Sequence, residues 1–129
     1  MNLNDKMKEM LNRRAEDMAN LREEVIDWVK RTLDEKRIES LIVNQIENGA
    51  FEFAILFSVS KEEVGCAGLW RETKRELTGE QKCELAHTIS EEIAKIIKEH
   101  GFSIIGAPIF EFQGTQQGRV CFKCKEEEQ

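Results

Sequence analysis

Cys121-Phe122-Lys123-Cys124 is a Cys-x-x-Cys, and Cys83 and His87 lie four apart in a helix-forming stretch. Pooled, they have the donor types of a Cys₃His zinc site, since thiolate and imidazole are zinc's preferred ligands. The obstacle is local. Arg119 to Lys125 alternates as a strand, with Val120, Phe122 and Cys124 facing inward and Arg119, Cys121 and Lys123 outward. Residues three apart on a strand point to opposite faces, which separates the two sulfurs. The expectation is therefore no metal and no other cofactor. A zinc- or thiol-dependent protein using Cys83, His87, Cys121 and Cys124 is the alternative.

Gly65-Cys66-Ala67-Gly68 offers a second chemistry, a thiol among small residues with His87 or His100 as base. Nucleophilic catalysis also needs a group that orients the base, and no spacing supplies one. Glu91 and Glu92 are adjacent on a helix and diverge by about 100°, so they are not a general acid–base pair. Arg71, Lys74 and Arg75, read as one helix face beside Trp70, have the charge of an anion site, balanced by Glu72 and Glu76. No catalytic residue is assigned, and no segment carries the motif of a known family.

The elements that would hold these residues read as follows. Residues 3–36 contain no Gly or Pro and form one long helix. Met7, Leu11, Met18 and Leu21 recur at three-four spacing, a seam suited to a partner helix. Beyond Leu21 the stripe widens to Val25, Ile26, Trp28, Val29 and Leu33, a face suited to a core. The second half is expected to pack on the body and the first to serve as an oligomerisation arm.

Residues 38–60 read as a hairpin about Asn48-Gly49, because Asn-Gly suits a type I′ turn. That register pairs Ile46 with Phe51, Asn44 with Phe53, Ile42 with Ile55 and Ser40 with Phe57. It places Leu41, Val43, Ala54 and Leu56 on a second, half-apolar face that calls for a cover. Ser60 to Glu63 and Thr78 to Gln81 have the form of capping boxes. The second opens a helix to about His100, with Leu85, Ile89, Ile93, Ile96 and Ile97 on one side, stopped by Gly101. A short helix from Trp70 to Leu77, a strand-rich stretch over 102–112 with Pro108 at an edge or bulge, a polar loop over 113–118 and the strand from Arg119 complete the order.

The predicted fold is α+β: a long N-terminal helix, a β-hairpin, one or two helices and a second β-hairpin, giving a four-stranded, mainly antiparallel sheet with helices packed on it. Residues 1–129 make a single domain, with 126–129 a flexible acidic tail.

The net charge is −6, and residues 38–129 hold all of it, with ten Lys/Arg against sixteen Glu. Such a surface repels phosphate backbones, so direct nucleic-acid binding is not expected, and it suits a basic protein partner. No apolar run has a membrane span's length. Met1 to Lys6 has no basic region leading into an apolar one, so no signal peptide is expected. Four scattered cysteines fit reduced thiols in a cytoplasm. Together these features predict a non-catalytic intracellular protein-interaction module, an acidic inhibitor or adaptor of a nucleic-acid-handling protein that also pairs with itself. Its candidate contact residues are Met7, Leu11, Met18, Leu21, Leu41, Val43, Leu56, Glu62, Glu63, Glu91 and Glu92. A small-ligand site near Asn44, Trp70 and the second helix is a further alternative.

Overall fold

The computed structural model describes residues 1–126; residues 127–129, most of the predicted acidic tail, lie outside the described residues. The chain begins with α1 (Leu3–Thr32) and α2 (Glu35–Glu47). A first group of strands follows: β1 (Phe53–Val59), β2 (Glu63–Cys66) and β3 (Leu69–Glu72). After α3 (Gly79–Glu99) come β4 (Phe102–Gly106), β5 (Ile109–Phe112) and β6 (Thr115–Cys124). The fold is α+β, with a long N-terminal helix and helices on an antiparallel sheet, as the sequence predicts. The sheet has six strands rather than four, ordered β3-β2-β1-β6-β4, with β5 paired to the other stretch of β6.

The predicted first hairpin is the main correction, because its first strand is α2. Ile38, Leu41, Ile42 and Ile46 recur at helical spacing, and the Asp34 side chain accepts the Arg37 N–H at 2.8 Å to cap the start. Asp34 also ends the single helix read over 3–36, which is two helices joined at Leu33–Asp34. Asn48-Gly49 closes α2 instead of turning a hairpin. The Gly49 N–H donates to the Ile46 carbonyl and the Ala50 N–H to the Gln45 carbonyl, both at 2.9 Å, which is the Schellman arrangement. Gly49 has φ +89°, whereas Asn48 has φ −90° and so cannot occupy a type I′ turn. Leu41 and Val43 therefore share no sheet face with Leu56, and Asn44 is an exposed helical residue rather than part of a core face.

The true tight turns are Ala67-Gly68, between β2 and β3, and Gln113-Gly114, between β5 and β6. All four residues have positive φ. Ser60 to Glu63 is likewise a turn between strands, not a helix start: the Ser60 N–H donates to the Glu63 carbonyl at 2.8 Å and the Ser60 hydroxyl accepts the Glu63 N–H at 3.2 Å. Trp70 to Glu72 is strand and 73–77 is loop, so Arg71, Lys74 and Arg75 share no helix face. The stretch read as a polar loop over 113–118 contains the start of β6.

All three helices lie on one side of the sheet. β1 turns Phe53, Ile55, Phe57 and Val59 inward, and β6 adds Val120 and Phe122. α3 covers these with Leu85, Ile89, Ile93 and Ile97, all fully buried. The Phe122 ring packs 5.6 Å from Phe53 and edge-on to Phe102 at 5.2 Å. The predicted inward set on β6 holds for Val120 and Phe122; Cys124 ends the strand exposed. The second half of α1 joins this core through Met18, Leu21, Val25 and Val29. Every residue from Leu3 to Asp17 is exposed, so the first half is an exposed arm of about 22 Å at 1.5 Å per residue.

Candidate functional site

Among the described residues no element packs on the other face of the sheet. Its character follows from register. Trp70 pairs with Gly65, Gly65 with Ser58, Ser58 with Gln117 and Gln117 with Phe110. These five residues form one row across β3, β2, β1, β6 and β5. Directly opposed residues share a face, so the row has a large aromatic at each end and glycine, serine and glutamine between. Four strand spacings separate the ends, roughly 19 Å between backbones. The result is a trough, a concavity of about 350 Å³.

The next row adds Leu56 paired with Arg119. Leu56 and Trp70 are each more than 60% exposed, and Phe110 and Phe112 more than half exposed. Large apolar side chains left in water around a concavity mark a contact surface. One edge of the face carries Glu63 directly opposite Glu72, two like charges that repel. Neither has a cation within 4.0 Å among the described residues.

Three devices keep the face in shape. The Trp70 ring lies against Gly65 so closely that a Cβ there would sit 2.8 Å from it. At the opposite end of β1, beyond the reach of β2, the Gln45 side chain takes the place of a strand. Its Nε2 donates to the Ala54 carbonyl at 3.0 Å and its Oε1 accepts the Ala54 N–H at 2.9 Å. The Ala67 turn is held by the Arg37 guanidinium, which donates to the Ala67 carbonyl at 2.6 Å.

The residues read from sequence as contacts are scattered. Met7 and Leu11 are exposed on the arm, while Met18 and Leu21 are spent on the chain's own core. Leu41 is half-buried and Val43 exposed on α2; Leu56 lies in the trough. Glu62 sits in the β1–β2 turn, Glu63 at the trough's edge and Glu91 on the exposed side of α3. Glu92 is mostly covered, with Lys30 Nζ 3.9 Å away. Trp70, Phe110, Phe112 and Gln117 were not singled out as contacts; the alternation of Phe110 and Phe112 about Glu111 was the available signal.

The chemical alternatives are not assembled. Cys83 and His87 lie on α3, Cys121 and Cys124 on β6, and among the described residues no group of three or more His, Cys, Asp or Glu could hold a metal. Cys66 is buried beneath the trough, and burial pushes its thiol up to about 12 against a weaker downward pull from Arg37. A nucleophile needs the thiolate, which this environment opposes. Asn44 on α2 and Trp70 on the uncovered face do not form one pocket with α3.

Fold and site define the class: a two-layer α+β protein with one sheet face open. No protein-family model, curated protein or solved structure matches the chain. No helix among the described residues is long and apolar enough to cross a membrane.

Proposed function

We propose that this chain is a non-catalytic protein-binding module whose working surface is the uncovered face of its sheet. The observation that carries the reading is the aromatic-walled row from Trp70 to Phe110, with Leu56 and Phe112 beside it. Large aromatics set around a concavity are the anchors from which protein interfaces draw most of their energy. The trough offers indole, phenyl, amide and hydroxyl groups and Arg119, a chemistry of contact rather than of bond making. The acidic charge of the chain favours a basic partner through association rate.

A photo-crosslinking amino acid in place of Phe110, used in the native host, tests this. A discrete crosslinked protein that is absent when the same group replaces Lys95 on the helical side is the expected result. Identical patterns from both positions would sink the reading.

A second reading has one specific support. Exposed aromatics beside Arg119, with Lys123 further along the same face of β6, resemble a stacking platform for single-stranded nucleic acid. The net charge of −6 opposes it. In a Trp28→Phe background, quenching of Trp70 emission by an oligonucleotide at low salt would favour this reading over the first.

A further inference from the structure

We infer that the occupant of the trough is an amphipathic helix, and specifically the N-terminal arm of a second copy of this chain. The inference rests on the reading of the uncovered face as a protein-binding surface.

Among the described residues nothing packs on the apolar stripe of the arm. Leu3, Met7, Met10 and Leu11 fall at i, i+4, i+7 and i+8, and all four are exposed. The same stripe continues into Met18, Leu21 and Val25, which are buried in the chain's own core. The molecule thus carries two unpartnered apolar surfaces, a ridge and a trough. Their sizes agree: a helix with its side chains is about 10–12 Å across, and with the Trp70 ring lying over Gly65 the open floor spans three strand spacings, roughly 14 Å at the backbone. The Trp70 ring lies over Gly65, so the open floor begins at Ser58, a small residue that lets a helix come close.

Charge agrees as well. Residues 1–15 carry Lys6, Lys8, Arg13 and Arg14 against Asp5 and Glu9, a net +2 in a chain of net −6. The trough's edge presents the Glu63–Glu72 pair, whose repulsion a cation would relieve. Arm-to-arm pairing would leave the sheet face bare and set Arg14 against Arg14 or its neighbours. Face-to-face pairing would leave the arm bare. Reciprocal exchange of arms covers both surfaces in a closed pair of the twofold kind.

Two full-length variants test this, both altering exposed residues without changing charge. The arm variant is Met7→Gln with Leu11→Gln; the face variant is Leu56→Thr with Phe110→Thr. Circular dichroism checks that each keeps its fold. In sedimentation equilibrium the parent should form a species of twice the 15.0 kDa chain, and each variant alone should dissociate at least about tenfold more readily. An equimolar mixture keeps one intact arm and one intact face, so it should associate more tightly than either variant alone. A parent that stays monomeric, a dimer weakened by only one variant or by neither, or a mixture no tighter than its components would each overturn the inference.

The crosslinker at position 110 separates this from the broader reading. Products joined to residues 3–11 of another copy support the inference. Products joined only to a different protein keep the binding surface and overturn the exchange. No discrete product overturns both.

Discussion

Trp70 and Gly65 face each other across β2 and β3, and the indole ring occupies the space that a side chain on Gly65 would fill. A Cβ at that position would also lie 2.9 Å from the Ser58 hydroxyl. The wall of the trough and its floor are therefore one packing unit. Gly65→Ala should push the ring outward and lower stability by about 1–3 kcal/mol, as overpacking does. Urea unfolding, with Trp70 emission read in a Trp28→Phe background, checks it; an unchanged midpoint and spectrum would show that the ring is not seated there.

Gln45 closes the edge of β1 with two hydrogen bonds to one residue, Ala54. Gln45→Leu keeps volume and removes both, leaving an N–H and a carbonyl without partners. The expected cost is about 1–3 kcal/mol. Gln45→Glu should not rescue it, because a carboxylate accepts the Ala54 N–H but cannot donate to the Ala54 carbonyl. Chemical denaturation of the three proteins decides; equal stability of the Gln and Glu forms would refute the paired geometry.

The Gln45 pairing also shows where the sequence was legible. α3 was readable because cap, stripe and stop agree: Thr78 and Gln81 form the reciprocal box, Leu85 to Ile97 line one side, and Gly101 follows the cap at φ +91°. The division of α1 into a packed half and a bare half was readable because the stripe widens where the body begins. The segment 34–60 misled because Asn-Gly serves two structures, a hairpin turn and a helix stop, and the turn signal masks the helical spacing of Ile38, Leu41, Ile42 and Ile46. Asp34 as a cap, and Gln45 reaching Ala54, join that spacing in settling the choice. The trough itself was hidden for a related reason. Trp70 heads a stretch of Arg, Glu, Lys and Leu with helical preference, and its pairing with Gly65 overrides that preference. Of the trough's large side chains, the sequence marks Leu56 as a contact, through its place on a half-apolar face, and Trp70 only as part of a ligand site that the fold does not assemble.

The β5–β6 turn invites a stabilising change. Gln113 sits exposed at φ +51°, a conformation that favours Asn over Gln. Gln113→Asn should raise stability by a few tenths to about 1 kcal/mol, since Asn-Gly is the preferred type I′ pair. Gln113→Val should lower it, because a β-branched side chain fits that region poorly. Thermal melts of both variants against the parent read the order directly. A Val variant as stable as the Asn one would mean the turn is not held in this form.

Cys66 links burial to pH. Its thiol releases a proton near 9.0 when free and is held to about 12 in the fold, chiefly because burial disfavours the thiolate. Below pH 9 both folded and unfolded chains keep the proton, and the group contributes no pH dependence. Between pH 9 and 12 the unfolded chain gives it up while the fold retains it, so stability falls as pH rises. Three units of difference correspond to roughly 4 kcal/mol at most. Cys66→Val removes the titrating group and keeps an apolar side chain. The difference in unfolding free energy between parent and variant should therefore shift in the variant's favour from pH 9 upward and stay flat below. Alkylation gives an independent reading. Cys124 is exposed and should react first with iodoacetamide at pH 8, Cys83 and Cys121 should follow, and Cys66 should react only as fast as the chain opens. If Cys66 in the native protein is modified as fast as Cys124, the thiol is not shut beneath the sheet, and the floor of the trough is open to chemistry after all.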